Sequence, residues 1–305
     1  MDRRAAWVLG IVFGGLFLTL FGFLFILYIA VKSDERGGFA AAGDRVGVVE
    51  VLGPIADSKK TVEALDELKD DEGVKAIVVR IDSPGGSVGP SQEIYDAIKR
   101  VREKKHVLVS MGSMAASGGY YIACAGEKVY ANPGTLTGSI GVVMQVPDVS
   151  GLLAWANVEM NTITSGKLKD SGSPFRDMTE EERAYFKALL DDVHQQFISA
   201  VADGRKLPVE EVRPYADGRV FSGRQAKEWK LVDELGGLSA AVAEAGKLAG
   251  IEGEPKVQYP KEERGFFREL LSGEDLDGMV KGATRTALSQ LGVGLQFRLP
   301  LVDAH

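Results

Sequence analysis

One serine of the chain stands in a pattern that suits nucleophilic chemistry. Ser117 lies directly before Gly118 and Gly119, after an apolar run at residues 107–111 and before an alanine-rich stretch at 122–125. A strand that ends in a tight turn and continues into a helix lifts a side chain out of the packed layers and directs backbone N–H groups towards it. Ser117 is therefore a candidate nucleophile. Because serine is also a favoured helix N-cap, capping is the alternative interpretation.

A serine hydroxyl needs a base before it becomes a good nucleophile. The chain has three histidines. His106 begins a predicted strand after two lysines, His194 lies in a long amphipathic helix, and His305 is the last residue. None of the three stands in a turn of small residues, so the sequence disfavours a Ser-His-Asp triad.

Two lysines in the loop at residues 165–174 are the other candidate bases. Lys167 and Lys169 follow a predicted strand there. A lysine accepts a proton when burial or a positive neighbour lowers its pKa from about 10.4 towards neutrality; otherwise such lysines are solvated surface charges. Ser139, in the sequence TGSIG at 137–141, could orient a neutral amine by hydrogen bonding, or could simply be a serine at the entry to a strand.

Two glycine turns end predicted neighbouring strands. One is Pro-Gly-Gly at residues 84–86 and the other is Ser-Gly-Gly at 117–119. The backbone N–H groups of Gly86 and Gly118 could converge on one oxygen, since glycine has no Cβ and permits close approach. Preorganised donors of this kind stabilise the oxyanion of acyl transfer.

The elements that would position these residues follow an alternating order. From Asp44 to Ala249, short β-branched runs alternate with amphipathic helical runs, which predicts an α/β fold with a mostly parallel sheet and helices on its faces. A capping box at residues 179–182 predicts the start of the longest soluble helix. The predicted strands are 46–52, 74–81, 107–111, 129–131, 140–144 and 160–164.

Composition narrows the classes of partner. The formal net charge is −7 and no predicted helix carries a basic stripe, so we expect no nucleic-acid partner. The single cysteine, Cys124, excludes an intramolecular disulfide and a cysteine-based metal cluster. It lies in an apolar stretch, so we predict that it is a small core residue.

The first residues predict a membrane anchor. Residues 5–31 carry no charge. This run exceeds the roughly 20 apolar residues that a membrane-spanning helix needs and the apolar core of a cleaved signal peptide, about 7–15 residues. The flanking positive charges are nearly balanced, and the N-terminal amine tips the orientation slightly towards a cytoplasmic N-terminus and an extracytoplasmic domain. The predicted segments are a cytoplasmic N-terminus (1–4), a transmembrane anchor (5–31), a linker (32–43), a catalytic domain (44–250) and a C-terminal extension of unassigned role (251–305).

Four motifs in order resemble the signal peptide peptidase A family, which comprises membrane-anchored Ser-Lys proteases of the Clp-protease/crotonase-like fold, built from repeated ββα units. The resemblance covers residues 46–248 and one catalytic unit, as in the short form of the family. The motifs are DSPGGS at 82–87, MAASGGYY at 114–121, TGSIG at 137–141 and GRVFSG at 218–223.

The resemblance implies a role for each candidate residue. Lys169 matches the family's base better than Lys167 does, because the family's lysine stands just before the polar continuation that here covers residues 170–174. The implied site consists of the nucleophile Ser117, the general base Lys169, the lysine-orienting Ser139, and the oxyanion donors Gly86 (or Gly85) and Gly118.

The resemblance also implies partners. We expect no cofactor and no metal, a single-pass protein of the cell membrane, and hydrophobic peptides, such as remnant signal peptides, as substrates. It implies a homo-oligomer, with eight subunits for a short form, in which Lys169 of one subunit completes the site of its neighbour. The alternatives are another membrane-bound Ser-Lys protease with a different substrate, a crotonase-type acyl-CoA enzyme, and a membrane scaffold without catalysis.

Overall fold

The computed structural model describes residues 43–260, together with Gly22 and the backbone of Gln296–Phe297. Residues 44–305 form one unit, distinct from residues 1–43. Apart from Gly22, the predicted anchor at 5–31 lies outside the described residues, as do nearly all of the predicted linker and most of the predicted C-terminal extension. Among the residues that are described, no helix has the length and apolar character needed to cross a membrane.

An eight-stranded sheet forms the centre of the described unit. Its strands pair in parallel, except for one antiparallel pair at an edge. The predicted α/β fold with a mostly parallel sheet is thus confirmed. The strands are β1 (Arg45–Leu52), β2 (Val74–Ser83), β3 (Gly86–Ser87), β4 (His106–Ala116), β5 (Val129–Ala131), β6 (Leu136–Gly138), β7 (Val220–Ser222), β8 (Glu234–Leu235), β9 (Lys256–Gln258) and β10 (Gln296–Phe297).

The main path through the sheet runs β7-β6-β4-β2-β1-β9, with β5 beside β4 and β8 beside β5. The antiparallel edge pair is β6 with β7. The short strands β3 and β10 form a separate antiparallel pair. Strand β9, in the predicted C-terminal extension, adds to the sheet beside β1.

Helices cover both faces of the sheet. Val49 and Val79 pack on the face that carries most of the helices, whereas Val48 and Val78 pack on the opposite face against the helix at Leu238–Leu248. A strand buried on both faces needs a nearly continuous apolar sequence, which β2 has. The helices are α1 (Lys59–Asp70), α2 (Val88–Arg102), α3 (Gly118–Ala123), α4 (Ser150–Trp155), α5 (Glu180–Arg205), α6 (Val209–Val212), α7 (Gly223–Glu228) and α8 (Leu238–Leu248), with a 3-10 turn at Arg213–Tyr215.

The predicted capping box is confirmed at the start of α5. The Thr179 hydroxyl accepts a hydrogen bond from the Glu182 backbone N–H at 3.2 Å, and the Glu182 carboxylate accepts one from the Thr179 backbone N–H at 2.9 Å. These bonds satisfy two donors that a helix start otherwise leaves unpaired. They set the first residue of the longest helix in the described part of the chain.

Two predicted strands, 140–144 and 160–164, are wrong. Apart from a single bridge residue at Val143, neither segment is in a strand. Their β-branched residues suit a pleated surface, but among the described residues neither segment joins a sheet. Ile163 is 98% exposed. Residues 141–178 form a largely exposed excursion between β6 and α5, here called the arm.

Candidate active site

Ser117 occupies the turn between β4 and α3. Its backbone angles are φ 53° and ψ −119°, a combination that glycine adopts readily and other residues rarely. The side chain is buried, and its Oγ atom has no hydrogen-bond partner in the described part of the chain. A strained backbone of this kind costs about 1–3 kcal/mol and is concentrated at functional sites.

Ser139 lies beside Ser117 because the strands that precede them are paired. In the parallel β4–β6 pair, Ala116 aligns with Gly138, and each serine follows one of these residues. The Ser117 N–H donates to the Gly138 carbonyl at 2.8 Å. Ser139 is also almost fully buried, and its φ is 51°. The structure therefore places two buried serines with positive φ at neighbouring strand ends.

The two glycine turns meet at the same place. A Cβ added to Gly118 would lie 3.3 Å from the backbone nitrogen of Gly86. Ile55 accepts from the Ser87 N–H at 2.8 Å and donates to the Gly85 carbonyl at 2.9 Å. Because neighbouring N–H groups of an extended segment point in opposite directions, the N–H of Gly86 points away from Ile55. A Cβ on Gly86 would lie 2.1 Å from the Ile55 oxygen, so a side chain does not fit there.

The fourth motif, residues 218–223, supports the turn that carries Ser139. Strand β7 pairs with β6, and the Ser139 N–H donates to the Arg219 carbonyl at 2.8 Å. Hydrogen bonds from the Arg219 guanidinium lower the pKa of Asp217 to about 2. A Cβ on Gly138 would lie 2.3 Å from the Phe221 ring. All four motifs thus converge at the carboxyl ends of β2, β4 and β6.

The structure does not join either lysine of the arm to Ser117 within one chain. The Lys167 ammonium forms an exposed ion pair with Glu181 at 2.7 Å. The Lys169 ammonium makes no hydrogen bond or ion pair with any described residue. The hydroxyl of Ser117 is equally without a partner there. Of the two lysines, only Lys169 is therefore uncommitted within residues 43–260.

Comparison with known proteins fits this geometry. A family model for Peptidase family S49 matches residues 99–252, and a Clp protease model matches residues 47–137. The chain belongs to peptidase family S49.

The relatives of this S49 peptidase include short and long proteins. It is 41% identical over 233 residues to the provisionally named protease slr0021 of Synechocystis, covering 75% of this chain and 84% of that protein. It is 33% identical over 274 residues to the provisionally named signal peptide peptidase SppA of Enterococcus faecium, covering 84% and 79%. With the chloroplastic serine protease SPPA of Arabidopsis thaliana it shares 32% identity over 283 residues, covering 86% of this chain and 42% of that longer protein.

In this S49 peptidase, Arg176 links the loop that bears Lys169 to the start of α5. Its guanidinium donates to the side chain of Asp170, the next residue after Lys169, at 3.0 Å, and to Glu182 at 2.6 and 3.0 Å. The hydrogen bonds from Arg176, with those from Thr179, lower the pKa of Glu182 to about 2. The loop is therefore tied to the start of α5 by a charge-assisted network.

Sequence reasoning missed Ser91 of α2. Its side chain is fully buried, and its Oγ donates to the Ser87 carbonyl at 2.8 Å. A Cβ on Gly118 would lie 2.5 Å from that Oγ, so Ser91 closes the site from the helix side. The signal was its spacing, since Ser91 stands three residues after Val88 and three before Ile94 on the buried face of an amphipathic helix.

Neither of the two described histidines is hydrogen-bonded to the Ser117 hydroxyl. His106 stands at the opposite end of β4 from Ser117, where its Nδ1 lies 2.9 Å from Glu127. His194 belongs to α5, and its buried Nε2 makes no hydrogen bond among the described residues. Within residues 43–260, no group of three or more His, Cys, Asp or Glu side chains is arranged to hold a metal ion.

Proposed function

We propose that this S49 peptidase is a membrane-anchored serine endopeptidase that uses a Ser-Lys dyad. Ser117 is the nucleophile, Lys169 the general base, and Ser139 the hydroxyl that orients the lysine. The observation that carries the proposal is the hydroxyl of Ser117, buried and without a partner in the described chain on a strained backbone. A buried unpaired polar group costs about 1–3 kcal/mol, so a purely structural serine would not favour this arrangement.

The chemistry follows from these positions. The neutral amine of Lys169 takes the hydroxyl proton as Ser117 Oγ bonds to the peptide carbonyl carbon. The N–H groups of Gly86 and Gly118 stabilise the resulting oxyanion. The C–N bond then breaks, the leaving amine takes the proton back from Lys169, and an ester on Ser117 remains. Water, deprotonated by the same amine, hydrolyses that ester and restores the free serine.

We further propose that Lys169 acts on Ser117 of a neighbouring subunit in a homo-oligomer, with eight subunits as the assembly. Two observations support a site that is shared between subunits. No hydrogen bond joins Lys169 to Ser117 within the described chain, and the arm exposes large apolar side chains. Trp155 is 85% exposed, Ile163 98% and Leu152 63%. Large exposed apolar side chains are typical of interaction sites when they form one surface, and a second copy would cover those of the arm while delivering Lys169.

The proposed substrates are hydrophobic peptides, in particular signal peptide remnants in the membrane. The predicted anchor at residues 5–31 would hold the catalytic domain at the bilayer surface, on the extracytoplasmic side. The name of the Enterococcus faecium relative refers to signal peptides, and the same substrate class is proposed here.

A serine-directed fluorophosphonate probe tests the nucleophile. We expect covalent labelling of the full-length protein at Ser117, and neither labelling nor peptide cleavage after Ser117→Ala. Lys169→Ala should remove both, whereas the matched change Lys167→Ala should leave both within about twofold, because that lysine is an exposed surface group. Cleavage that survives Ser117→Ala would refute the assignment of Ser117 as the nucleophile. Loss of activity in Lys167→Ala, with activity retained in Lys169→Ala, would identify Lys167 as the base instead.

Complementation tests the shared site. Coexpressed Ser117→Ala and Lys169→Ala chains can form mixed oligomers in which an intact serine faces an intact lysine, so we expect partial recovery of cleavage. Mixed oligomers that are verified by differential tags and yet remain inactive would show that both groups act within one chain.

A further inference from the structure

We infer that Asp82 is a positioning residue for Ser117, acting through a bulge in β4. The inference rests on the proposed function, because it concerns how the nucleophile is aligned. Asp82 belongs to the first motif, DSPGGS, yet sequence reasoning gives it no role of its own.

Strand β4 is distorted directly before the site. In the β2–β4 pair, Ile81 aligns with Met111 and Ser83 aligns with Ala115. Three residues of β4, at 112–114, therefore stand opposite a single residue of β2. An insertion of this kind re-aims the chain that follows it and interrupts the ladder of hydrogen bonds. The bulge consequently sets the course of the last residues of β4.

The carboxylate of Asp82 fills the bulge. One of its oxygens accepts from the Ser113 N–H at 3.2 Å, and the other accepts from the Met114 N–H at 3.1 Å. A Cβ on Gly112 would lie 2.4 Å from Oδ2, so a glycine at that position lets the carboxylate approach the backbone. Asp82 thus supplies acceptors for two N–H groups that the interrupted ladder leaves without a strand partner.

Two other side chains hold the carbonyl groups of the same segment. Thr135 Oγ1 donates to the Gly112 carbonyl at 2.7 Å, and the Arg80 guanidinium donates to the Met111 carbonyl at 2.8 Å. The guanidinium has no acceptor atom, and the Thr135 hydroxyl already accepts from the Asn132 N–H at 3.1 Å, so neither side chain takes the place of the Asp82 carboxylate. Loss of the carboxylate would therefore release the N–H side of the bulge while its carbonyl side stays held.

Asp82 also connects the two halves of the site. Its backbone leads within four residues to Gly86, and its carboxylate fixes the strand that leads to Ser117. Asp82 therefore contributes to setting the distance between the attacking oxygen of Ser117 and the oxyanion donors. The Asp82 carboxylate is hydrogen-bonded neither to the Ser117 hydroxyl nor to the N–H groups of Gly86 and Gly118. It therefore positions the reacting groups without taking part in the chemistry.

The expected consequence is a loss of turnover with little change in substrate binding. A misplacement of about 1 Å can lower a rate about 100-fold. We expect Asp82→Ala to reduce kcat and the rate of fluorophosphonate labelling about 100-fold, with KM changed less than about threefold. Asp82→Asn keeps one acceptor oxygen, and we expect it to recover about tenfold of that loss.

The test uses the full-length protein in detergent, a fluorophosphonate probe and an apolar fluorogenic peptide. The variants are Asp82→Ala, Asp82→Asn and Gly112→Ala. Gly112→Ala keeps aspartate at position 82 but should push its carboxylate out of the bulge, and should therefore slow labelling as well. The matched control is Asp71→Ala, in the turn just before β2, where the carboxylate accepts from the Gly73 N–H at 2.8 Å. We expect this control to lower the unfolding temperature and leave the labelling rate within about twofold, since it lies far from the bulge.

The outcomes separate the two proposals. A wild-type protein that is not labelled at Ser117 would refute the proposed function. A wild-type protein that is labelled, with Asp82→Ala labelled within threefold of its rate, would overturn the role of Asp82 alone. If Asp82→Ala does not fold, Asp82→Asn decides: slowed labelling with an unchanged KM supports positioning, and wild-type labelling overturns it.

Discussion

Removing the side chain of Ser117 should stabilise the folded protein even as it abolishes peptide cleavage. The residue carries two separate costs in the structure. Its Oγ is buried without a partner among the described residues, which costs about 1–3 kcal/mol. Its backbone, at φ 53° and ψ −119°, has a conformation suited to glycine, and for a residue with a Cβ this costs about 1–3 kcal/mol.

Two substitutions separate these costs. Ser117→Ala removes only the unpaired hydroxyl, so we expect the free energy of unfolding to rise by about 1 kcal/mol. Ser117→Gly also relieves the backbone, and the gain is offset by the greater entropy that glycine loses on folding, about 0.5–1 kcal/mol; the net rise should be about 1–3 kcal/mol. For a domain of this size, each kcal/mol shifts the unfolding temperature by about 2–4 °C.

Thermal unfolding of the full-length protein in detergent measures the effect. Protein concentration must be equal in all samples, because assembly shifts the unfolding temperature by mass action. Ser91→Ala is the matched control: this serine is equally buried, but its hydroxyl donates to the Ser87 carbonyl at 2.8 Å. Its loss should lower stability by about 1 kcal/mol, opposite in sign to the change at Ser117.

The reasoning fails if Ser117→Gly is no more stable than the wild type, because the backbone would then carry no strain in the assembled protein. A Ser117→Ala protein destabilised as much as Ser91→Ala would show a hydroxyl that is hydrogen-bonded in the assembly. The glycine variant keeps the two cases apart, since the relief of the backbone does not depend on what the hydroxyl contacts.

Three further predictions concern the frame around the site. Gly86→Ala would place a methyl group 2.1 Å from the Ile55 backbone oxygen. It should destabilise the protein by roughly 1–3 kcal/mol and abolish cleavage. Gly89→Ala, with open space at its Cβ, should leave cleavage intact. Hydrogen bonds from Arg176 and Thr179 lower the pKa of Glu182 from 4.5 to about 2. Its pairing with Arg176 therefore contributes stability above pH 4.5, and this stability is lost as the pH falls towards 2. Glu182→Gln should flatten the dependence of the unfolding temperature on pH between these values. Burial raises the pKa of the Cys124 thiol to about 12, so iodoacetamide at pH 8 should modify the native protein only as fast as it unfolds, and rapid modification would contradict the buried position.

Features that depend on neighbouring residues in the chain were predictable from the sequence. The capping box at residues 179–182, the apolar β2 and the turn at Ser117 are local patterns, and the structure has each of them. The proximity of Gly86 and Gly118 was also within reach, because both follow strands whose carboxyl ends meet at one edge of a parallel sheet.

Features that depend on distant parts of the chain were not predictable in the same way. The bulge at residues 112–114 exists only relative to the register of β2, and the role of Asp82 follows from that register. The same reason explains the wrong strands at 140–144 and 160–164, because a β-branched run becomes a strand only where an edge is available to pair with it. The hydrogen bond from the Ser139 N–H to the Arg219 carbonyl likewise joins segments that are distant in the chain.

The division between Ser117 and the arm has a consequence for how the cell makes such an enzyme. Under the proposed assembly, the nucleophile and the base act only across a subunit boundary, so a newly synthesised copy is inactive until it assembles. Proteolysis then begins at a threshold of local concentration and rises more steeply than the amount of protein. Dilution that separates the subunits would then switch proteolysis off.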